Sequence, residues 1–418
     1  MTAVEKMTTS IQQYFFLSLD FCRSITKVAE GDLCPRMMYN NVSCARKKNF
    51  YHLLHFYAYM LYNYKHIHRK GDMVMRVSII GATGYAGAEL LRLLSGHPKT
   101  EIIHITSESY TDRRISEVYP HLTGLCDHTL ESLENLAGIG ADSDFIFIGL
   151  PAGYAMEIGR KLSHQPVRII DLGADYRFRN SAIYEKWYKV KHTHPEAQRV
   201  YGLAEIYREK IREARIIGNA GCYTTAGILA LAPLVKHQLI DVQSIVIDAK
   251  SGVSGAGRTA NLSNHFPELY DNFKAYSVTS HRHTPEIEQA LTDIGGQEVT
   301  LNFTPHLVPM ARGILSTAYA SLQEGVTAAM VDEAFHALYG DEFFIRLRGR
   351  GAYPETKFVR GSNFCDLGWH IDPRTHRVIV LSAIDNLVKG AAGQAVQNFN
   401  IAAGFSELLG IDAAPLYP

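Results

Sequence analysis

The sequence predicts an α/β fold in which a doubly wound parallel sheet is joined to a second, α+β domain. Close to residue 76, a short β-branched run leads directly into a glycine-rich turn and then into an apolar helical stretch. Two later runs, Asp144–Leu150 and Val167–Leu172, are almost continuously apolar, as in strands covered on both faces. Beyond about residue 235, alternating stretches such as Ser244–Ala249, Val299–Phe303 and Gly313–Leu322 indicate an antiparallel or mixed sheet.

The composition excludes several classes of protein. The 418 residues include 42 basic and 42 acidic side chains, whereas proteins that bind nucleic acids or membrane surfaces usually carry an excess of Lys and Arg. No apolar run is long enough to cross a bilayer. The six cysteines are too few for a disulfide scaffold and form no CxxC pair. We therefore expect a cytoplasmic protein of two or three domains that binds neither nucleic acid nor membrane.

The first 72 residues differ in composition from the rest of the chain. They contain ten Lys or Arg against five Asp or Glu, but only two of the 33 glycines. The aromatic stretch Phe50–Tyr64 is too short to span a bilayer, and it lacks the cleavage site of a secretory signal. We interpret residues 1–72 as an added, poorly packed leader without functional residues. The predicted domains are then residues 75–222 with 385–418, which bind the cofactor, and residues 223–384.

The unit that begins at Met75 is typical of a Rossmann-type dinucleotide-binding domain. A strand at residues 76–80 leads into the turn GATGYAG at residues 81–87, and the helix Ala88–Leu94 follows. Glycines let the backbone approach a pyrophosphate, which lies at the positive N-terminus of the helix. An ordinary βα turn without a ligand is the alternative, since glycine spacing alone is a weak signal. The residues assigned to the cofactor here are Gly81, Thr83, Gly84, Tyr85 and Gly87.

The side chains after the second strand, Glu101–Thr106, bear on the choice between NAD and NADP. An acid at this position binds the adenosine ribose, whereas basic residues and hydroxyls accept a 2′-phosphate. The chain offers both, with Ser107 and Glu108 first and Arg113 and Arg114 close behind. Ser107 and Arg113 are assigned to the cofactor, but these residues alone leave its identity open.

Cys222 is the cysteine with a reason to be reactive. It stands in the turn GNAGC, between the strand Arg215–Ile217 and the apolar helix Ala226–Val235. A thiol at a helix N-terminus is expected to have a lowered pKa and to react as the thiolate. The neighbouring glycines allow a carbonyl substrate to approach, and backbone N–H groups can hold an oxyanion. The alternative, a buried cysteine that acts as a small hydrophobe, is our interpretation of Cys126 and Cys365.

A nucleophilic cysteine needs an acid/base partner, and two histidines precede the predicted helix Pro285–Leu291. His281 and His283 are two residues apart, so they would point to opposite sides of a strand, and no carboxylate or cysteine completes a metal-binding set. We therefore expect no metal. One histidine should face the site while the other is structural, and His283 is the first choice.

Four further segments have the composition of loops that form a site, although each alone is more often a plain connection. One leaves the carboxyl end of a parallel strand, where ligands of doubly wound sheets bind. The others combine glycine or proline with hydroxyl, basic or amide side chains, and the last of them opens a helix rich in small residues. The segments are GLPAG at 149–153, SGVSGAGR at 251–258, FTPHLVPMARG at 303–313 and DNLVKGAAGQA at 385–395.

From Met75 to about Gly410 the chain resembles N-acetyl-γ-glutamyl-phosphate reductase, the arginine-biosynthesis relative of aspartate-semialdehyde dehydrogenase. The resemblance rests on GATGYAG, IIDLGADYRF, VYGLAE, GNAGCYTT, SGVSGAGR, HRHTPEIEQ, FTPHLVPMARGIL and IDNLVKGAAGQAVQN in this order. It implies a cytoplasmic oxidoreductase of amino-acid biosynthesis that uses NADP(H) and forms homodimers or homotetramers through its second domain. The implied reaction reduces N-acetyl-L-glutamyl 5-phosphate to N-acetyl-L-glutamate 5-semialdehyde and releases phosphate.

The resemblance also implies roles for individual residues. Cys222 would form a thioester, and His283, or His281 as the second choice, would move the proton with a pKa near 7. Further cofactor contacts are assigned to Pro151, Ser251, Gly252 and Asn386. Recognition of the substrate's phosphate or carboxylate is assigned to Arg177, Asn219, Arg258 and Arg312. The alternatives are a carrier-protein-linked aminoadipyl-phosphate reductase of lysine biosynthesis, a non-catalytic NADP-binding sensor, and a thiol acyltransferase or hydrolase.

Overall fold

The computed structural model describes residues 73–417, so the predicted leader lies outside the described residues. The first half of this part forms a six-stranded, fully parallel sheet with the strand order β2-β1-β3-β4-β6-β5. Its strands are β1 (Met75–Ile80), β2 (Thr100–Thr106), β3 (Phe145–Ile148), β4 (Arg168–Asp171), β5 (Val200–Gly202) and β6 (Ile216–Asn219). This order reverses at β1, as in doubly wound folds.

Helices cover both faces of the parallel sheet, which explains why its strands are almost wholly apolar. The α-helices in the described part of the chain are α1 (Tyr85–Ser95), α2 (Ile115–Val118), α3 (Leu136–Asp142), α4 (Tyr154–Lys161), α5 (Ser181–Tyr188), α6 (Ala204–Glu213), α7 (Cys222–Lys236), α8 (Phe266–Leu269), α9 (Thr284–Gly295), α10 (Ala328–Tyr339) and α11 (Gly393–Ala403). Within residues 73–417, none of these helices is long and apolar enough to cross a membrane.

A second, mixed sheet of seven strands follows, in the order β11-β12-β13-β10-β7-β9-β8. It comprises β7 (Val246–Gly252), β8 (Lys274–Ala275), β9 (Asn302–Val308), β10 (Ile314–Ser321), β11 (Ile345–Arg350), β12 (Cys365–Asp372) and β13 (Arg377–Ile384). The β7–β9 and β11–β12 pairs are parallel and the others antiparallel. The predicted fold class is therefore confirmed. In the sequence, all strands of the first sheet precede residue 222 and all strands of the second sheet follow it.

Two helices connect the layers. Helix α7 begins at Cys222, directly after the parallel sheet, yet most of its residues are buried in the core of the second sheet together with α9 and α10. Helix α11 returns to the first sheet, where the Phe399 ring meets Phe145 edge-on at a centroid distance of 4.9 Å. Burial of a Phe side chain contributes about 1.5–3 kcal/mol. Because α7 begins directly after β6 and packs in the core of the second sheet, Cys222 lies between the two sheets.

Two predicted segments differ from expectation. Residues 303–313 were expected to form a loop, but most of them belong to β9, where Pro305 pairs with Ala249 in a parallel ladder. The loop prediction was wrong because the prolines were read as turn residues, whereas the alternating apolar positions Phe303, Pro305 and Leu307 face the core. The segment before α11 forms a π-helical turn, Val388–Ala392. Such turns are rare and often lie at functional sites.

Candidate active site

A cavity of about 720 Å³ lies at the carboxyl ends of the parallel strands. One side is formed by the glycine turn before α1, and the other by the turn that carries Cys222. Ligands of doubly wound sheets bind at this edge. Seven of the residues that the sequence assigns to the cofactor line the cavity, namely Gly81, Thr83, Gly84, Tyr85, Ser107, Pro151 and Asn386.

The geometry of the glycine turn fits a dinucleotide. Gly81 has a φ of +86°, and a Cβ atom there would lie 2.7 Å from the carbonyl oxygen of Gly149. Helix α1 begins after Gly84, which provides no side-chain cap. Its first N–H groups therefore lack an intrahelical partner at a point where the helix lines the cavity. Such an uncapped, positive helix end is suited to a pyrophosphate.

Four other residues assigned to the cofactor lie outside the cavity lining. A Cβ atom at Gly87 would lie 2.4 Å from the Gly81 carbonyl oxygen, so this glycine lets α1 pack on the turn. Gly252 similarly allows close approach of the backbone at Arg312, and the Ser251 hydroxyl bonds the Gly252 carbonyl oxygen. Arg113 pairs with Glu117 in solvent. Gly87, Ser251 and Gly252 therefore shape the site without lining it, and Arg113 does neither.

Asn386 joins the cavity to the second sheet. Its side-chain oxygen accepts the Gly313 N–H at 2.7 Å, and its nitrogen donates to the Ser254 hydroxyl at 2.9 Å. Both sides of its amide therefore have protein partners. This fixes the orientation of Asn386 at the cavity wall.

Cys222 lies where the first cavity meets a second cavity of about 240 Å³. Four residues line both cavities, namely Arg177, Cys222, Gly255 and His283. Cys222 is half-buried and is the first residue of α7, after the N-cap residue Gly221. Gly390 of the π-helical turn packs against it, since a Cβ atom there would lie 2.7 Å from the Cys222 Cβ.

The expected lowering of the Cys222 pKa is wrong for the site as it stands. Burial raises the pKa of this thiol to about 11. The Tyr223 backbone N–H and the Arg177 guanidinium oppose that effect, and the nearby Glu286 carboxylate reinforces it. Because Arg177 is itself paired with Glu286, little net positive charge is left to stabilise a thiolate.

The raised pKa predicts how the protein reacts with iodoacetamide. Only the thiolate is alkylated, so the rate of modification of Cys222 should keep rising between about pH 7 and pH 10. Mass spectrometry of the peptide that contains Cys222 measures this rate. A plateau reached below about pH 8 would show instead that the thiol has the lowered pKa expected of a helix N-terminus.

A carboxylate that the sequence analysis did not select organises the site. Glu286, in the first turn of α9, is wholly buried. Its Oε1 accepts the Gly221 N–H at 2.9 Å and the Tyr201 hydroxyl at 2.7 Å, and it lies 2.8 Å from the Thr224 hydroxyl. Its Oε2 accepts Arg177 Nη1 at 3.2 Å. Its position three residues after His283 is the feature of the sequence that could have identified Glu286 as a site residue.

The two histidines occupy different positions. His283 lines both cavities, and its Nε2 accepts Arg177 Nη1 at 3.4 Å. His281 lines only the second cavity, where its Nδ1 accepts the backbone N–H of His283 at 3.1 Å and its ring meets Tyr223 edge-on. The geometry therefore places His283 closer to the junction of the cavities and makes His281 a support for it.

The expectation of a histidine pKa near 7 is also wrong. Burial, with the charges of Arg177 and Arg282, lowers the pKa of His283 well below its usual range. Burial and Arg282 lower the pKa of His281 to about 4. Both rings are therefore neutral at pH 7, and the unprotonated Nε2 of His283 can act as a base when the long contact from Arg177 Nη1 is released. Its Nδ1 is buried without a hydrogen-bond partner among the described residues.

Arg177 and Asn219, both assigned to the substrate, are held by the protein. Arg177 Nε donates to the Asn219 carbonyl oxygen at 2.8 Å, and Nη2 donates to that of Leu172 at 2.9 Å. The Asn219 amide donates to the Ala391 carbonyl oxygen and accepts from Asn398. Arg177 lines both cavities, whereas Asn219 lines neither of them and secures the cysteine turn to the π-helical turn.

The other two arginines assigned to the substrate do not line the second cavity. Arg312 pairs with Glu89 of α1 and with Asp385, and it lines neither cavity. Arg258 lines the first cavity, where it donates to the Thr83 carbonyl oxygen in the glycine turn at 3.0 Å. This position is at the cofactor end, away from the second cavity. Arg258 therefore shares the first cavity with Arg177 but not the second, and Arg312 lines neither.

The second cavity has a basic and aromatic lining. It is lined by Arg177 and Arg282 together with Tyr188, Tyr223 and Tyr276. The Arg282 guanidinium carbon lies 5.0 Å from the centre of the Tyr188 ring. Sequence analysis did not select Arg282, although it stands between the two histidines. This charge suits a small anionic substrate.

Two family models match the chain. A semialdehyde dehydrogenase NAD binding domain matches residues 76–214, and a semialdehyde dehydrogenase dimerisation domain matches residues 222–386. The curated N-acetyl-gamma-glutamyl-phosphate reductase of Desulforamulus reducens is 52% identical over 350 residues, which are 82% of this chain and all of that protein. The protein of the same name from Pelotomaculum thermopropionicum is 52% identical over 348 residues, 83% of this chain and again all of the relative.

Solved structures of related fold are more distant in sequence. Aspartate semialdehyde dehydrogenase II from Vibrio cholerae superposes with a TM-score of 0.63 at 17% identity, covering 79% of this chain and 99% of that one. Aspartate semialdehyde dehydrogenase with NADP from Candida albicans superposes with a TM-score of 0.59 at 16% identity, covering 79% of this chain and 98% of the other. At this identity the likeness concerns the fold.

Proposed function

The chain belongs to the N-acetyl-gamma-glutamyl-phosphate reductase family, and on this premise we propose that it reduces N-acetyl-L-glutamyl 5-phosphate to the 5-semialdehyde with NADPH through a thioester on Cys222. One observation carries the proposal. Cys222 and His283 are two of the four described residues that line both the dinucleotide cavity and the smaller basic cavity. An acyl group held by the sulfur would therefore lie beside the cofactor site.

The first half of the reaction forms the thioester. The neutral His283 accepts the thiol proton at Nε2, and the sulfur attacks the acyl carbon of the substrate. The bond from this carbon to the phosphate oxygen breaks, and the leaving phosphate takes the electron pair and the proton from His283. Arg177, which contacts His283, is itself paired with Glu286, so this carboxylate offsets the guanidinium charge beside the protonated imidazole.

The second half releases the aldehyde. When bound, NADPH supplies a hydride to the thioester carbon. The first N–H groups of α7, which have no side-chain cap, are placed to stabilise the oxyanion that this addition leaves beside Cys222. Collapse of the oxyanion breaks the carbon–sulfur bond, and the sulfur regains a proton from solvent through His283.

The substrate pocket supports an anionic acyl phosphate. The phosphate and carboxylate of the substrate carry negative charge, and Arg282, which lines the second cavity, has no carboxylate partner among the described residues. A thiol hydrolase would have no use for the dinucleotide cavity beside the cysteine. A non-catalytic sensor would have no use for a neutral histidine beside a cysteine.

The reverse reaction tests the proposal. Incubation with N-acetylglutamate 5-semialdehyde, phosphate and NADP should produce NADPH, measured at 340 nm, and omission of phosphate should stop it because the thioester then has no acceptor. The shorter aspartate semialdehyde and the longer aminoadipate semialdehyde derivative are the matched comparisons. Faster turnover of the aminoadipate derivative would favour the lysine-biosynthesis alternative, and no turnover of any of them would contradict the proposed activity.

Assembly and location are also proposed. The match to a dimerisation domain over residues 222–386 supports association through the second sheet, as a homodimer or homotetramer. The three described cysteines, Cys126, Cys222 and Cys365, are all free thiols, which supports a reducing cytoplasm. Sedimentation equilibrium of the purified protein distinguishes the two assemblies.

A further inference from the structure

The adenosine end of the larger cavity contains one cation that the sequence did not assign to the cofactor. The lining there combines the end of β2 with the loop after β7, and comprises Thr83, Ser107, Glu108, Ser109, Tyr110, Arg258 and Thr259. In this fold the residues just after the second strand lie at the adenosine ribose. A group that distinguishes NADP from NAD must lie in this region.

The charged residues that the sequence offered for this task are engaged elsewhere. Arg113 Nε pairs with Glu117 at 3.1 Å, and Arg114 Nη1 pairs with Asp127 at 2.7 Å. Neither arginine lines the cavity. The Glu108 side chain accepts the backbone N–H of Leu133 at 3.1 Å. The residues that directly follow β2 therefore provide no cationic side chain that is free to bind a phosphate.

Arg258 differs from both of these arginines. It has no carboxylate partner among the described residues, and its guanidinium carbon lies 4.8 Å from the centre of the Tyr119 ring and 5.4 Å from that of Tyr110. Its Nη1 and the Tyr119 hydroxyl both donate to the Thr83 carbonyl oxygen, at 3.0 and 2.8 Å. The rings and this carbonyl hold the guanidinium in place while its other donors remain for a ligand.

The position of Arg258 relative to β2 indicates which phosphate it meets. The Thr83 hydroxyl forms a hydrogen bond of 2.7 Å with the hydroxyl of Ser107, the residue that directly follows β2. Arg258 contacts the carbonyl oxygen of the same Thr83, so its guanidinium lies close to the end of β2. Tyr110, on which Arg258 packs, follows three residues later. A planar guanidinium with several free donors matches a phosphate and has no comparable partner in a ribose hydroxyl.

We propose that Arg258, supplied by the loop after β7, binds the 2′-phosphate of NADP(H) and thereby sets the preference for NADP(H) over NAD(H). This inference rests on the proposed use of NADP(H) by this site. It assigns cofactor selection to a residue about 150 positions downstream of β2, where the usual determinants of a dinucleotide fold are sought.

The binding of adenosine fragments tests the proposal without turnover. Adenosine 2′,5′-bisphosphate carries the 2′-phosphate and 5′-AMP does not, so calorimetry with both separates the two phosphates. In Arg258→Gln we expect the Kd of the bisphosphate to rise about 10- to 100-fold, as for loss of a hydrogen bond to a charged group, and the Kd of 5′-AMP to stay within about twofold. Arg258→Lys should give an intermediate Kd because it keeps the charge but loses the planar fork.

Steady-state kinetics extend the test, with Arg114→Gln as a control because that arginine is close in sequence to β2 but is paired with Asp127 and does not line the cavity. The ratio of kcat/KM for NADPH to that for NADH should fall in Arg258→Gln and stay unchanged in Arg114→Gln. Equal losses with both cofactors, or with both adenosine fragments, would overturn the proposal and place Arg258 at the 5′-phosphate. Unchanged binding would also overturn it. Inactivity of the wild type towards every acyl phosphate would instead contradict the proposed function, and leave the fragment result to decide the role of Arg258.

Discussion

Cys222→Ser is expected to lose nearly all activity, about 10⁴-fold or more in kcat/KM, while it still binds NADP(H). The hydroxyl is far less acidic than a thiol, and an ester is a poorer hydride acceptor than a thioester. The substitution removes no side chain from the glycine turn, so the cofactor cavity should be intact. Turnover by the reverse assay and cofactor binding by fluorescence titration measure the two effects separately.

Cys126→Ala is the control for the loss of a thiol as such. Cys126 is buried under the first sheet, away from both cavities, and burial raises the pKa of its thiol. This variant should therefore keep its activity. Cys222→Ser with more than about a tenth of wild-type turnover would rule out the covalent route, whatever the control shows. The acyl-enzyme should accumulate in the wild type when NADPH is withheld, and a mass increase on the peptide that contains Cys222 would detect it.

His283→Asn is expected to lower kcat by about 10²- to 10⁴-fold. Asparagine keeps a polar side chain of similar reach but cannot accept and return the thiol proton. The loss should be greatest below about pH 8, because the thiol of Cys222 is then almost wholly protonated and depends on the base. At higher pH the thiolate forms without assistance, so part of the rate should return. A pH profile of kcat from about pH 6 to pH 10 measures this recovery.

His281→Asn provides the comparison. His281 touches the second cavity and receives the His283 backbone N–H, so its loss should act mainly through position and cost less than the loss of His283. The loss in His281→Asn should also show no recovery at high pH. If His281→Asn is the more damaging variant and shows that recovery, the roles of the two histidines are reversed.

The sequence predicted the features that depend on neighbouring residues. The strand, glycine turn and helix at residues 76–95 were recognisable because glycine conformation and apolar periodicity are local properties. The position of Cys222 at the start of a helix followed in the same way. Whether a polar side chain faces a cavity depends on distant parts of the chain. For this reason Arg258 was assigned to the substrate, whereas its neighbours Thr83 and Tyr110 lie at the cofactor end.

The electrostatics were predicted less well, for a related physical reason. A helix N-terminus lowers the pKa of a thiol by a local effect, but burial depends on every element packed around it. Here Gly390 of a segment 168 residues downstream covers one side of Cys222, and the pKa of the thiol rises. The same holds for His283, whose low pKa reflects the enclosing fold together with the positive charges of Arg177 and Arg282.

The contacts of the Glu286 carboxylate determine how the active site responds to damage. It joins the loop before the nucleophile, the first turn of α7, strand β5 and the guanidinium after β4, and it stands three residues from the imidazole. The same carboxylate thereby fixes the positions of the Cys222 sulfur and the His283 imidazole, although Glu286 itself takes no part in the chemical steps. Damage to any one of these segments should therefore disturb all of them, and the centre should be lost as a unit instead of by degrees.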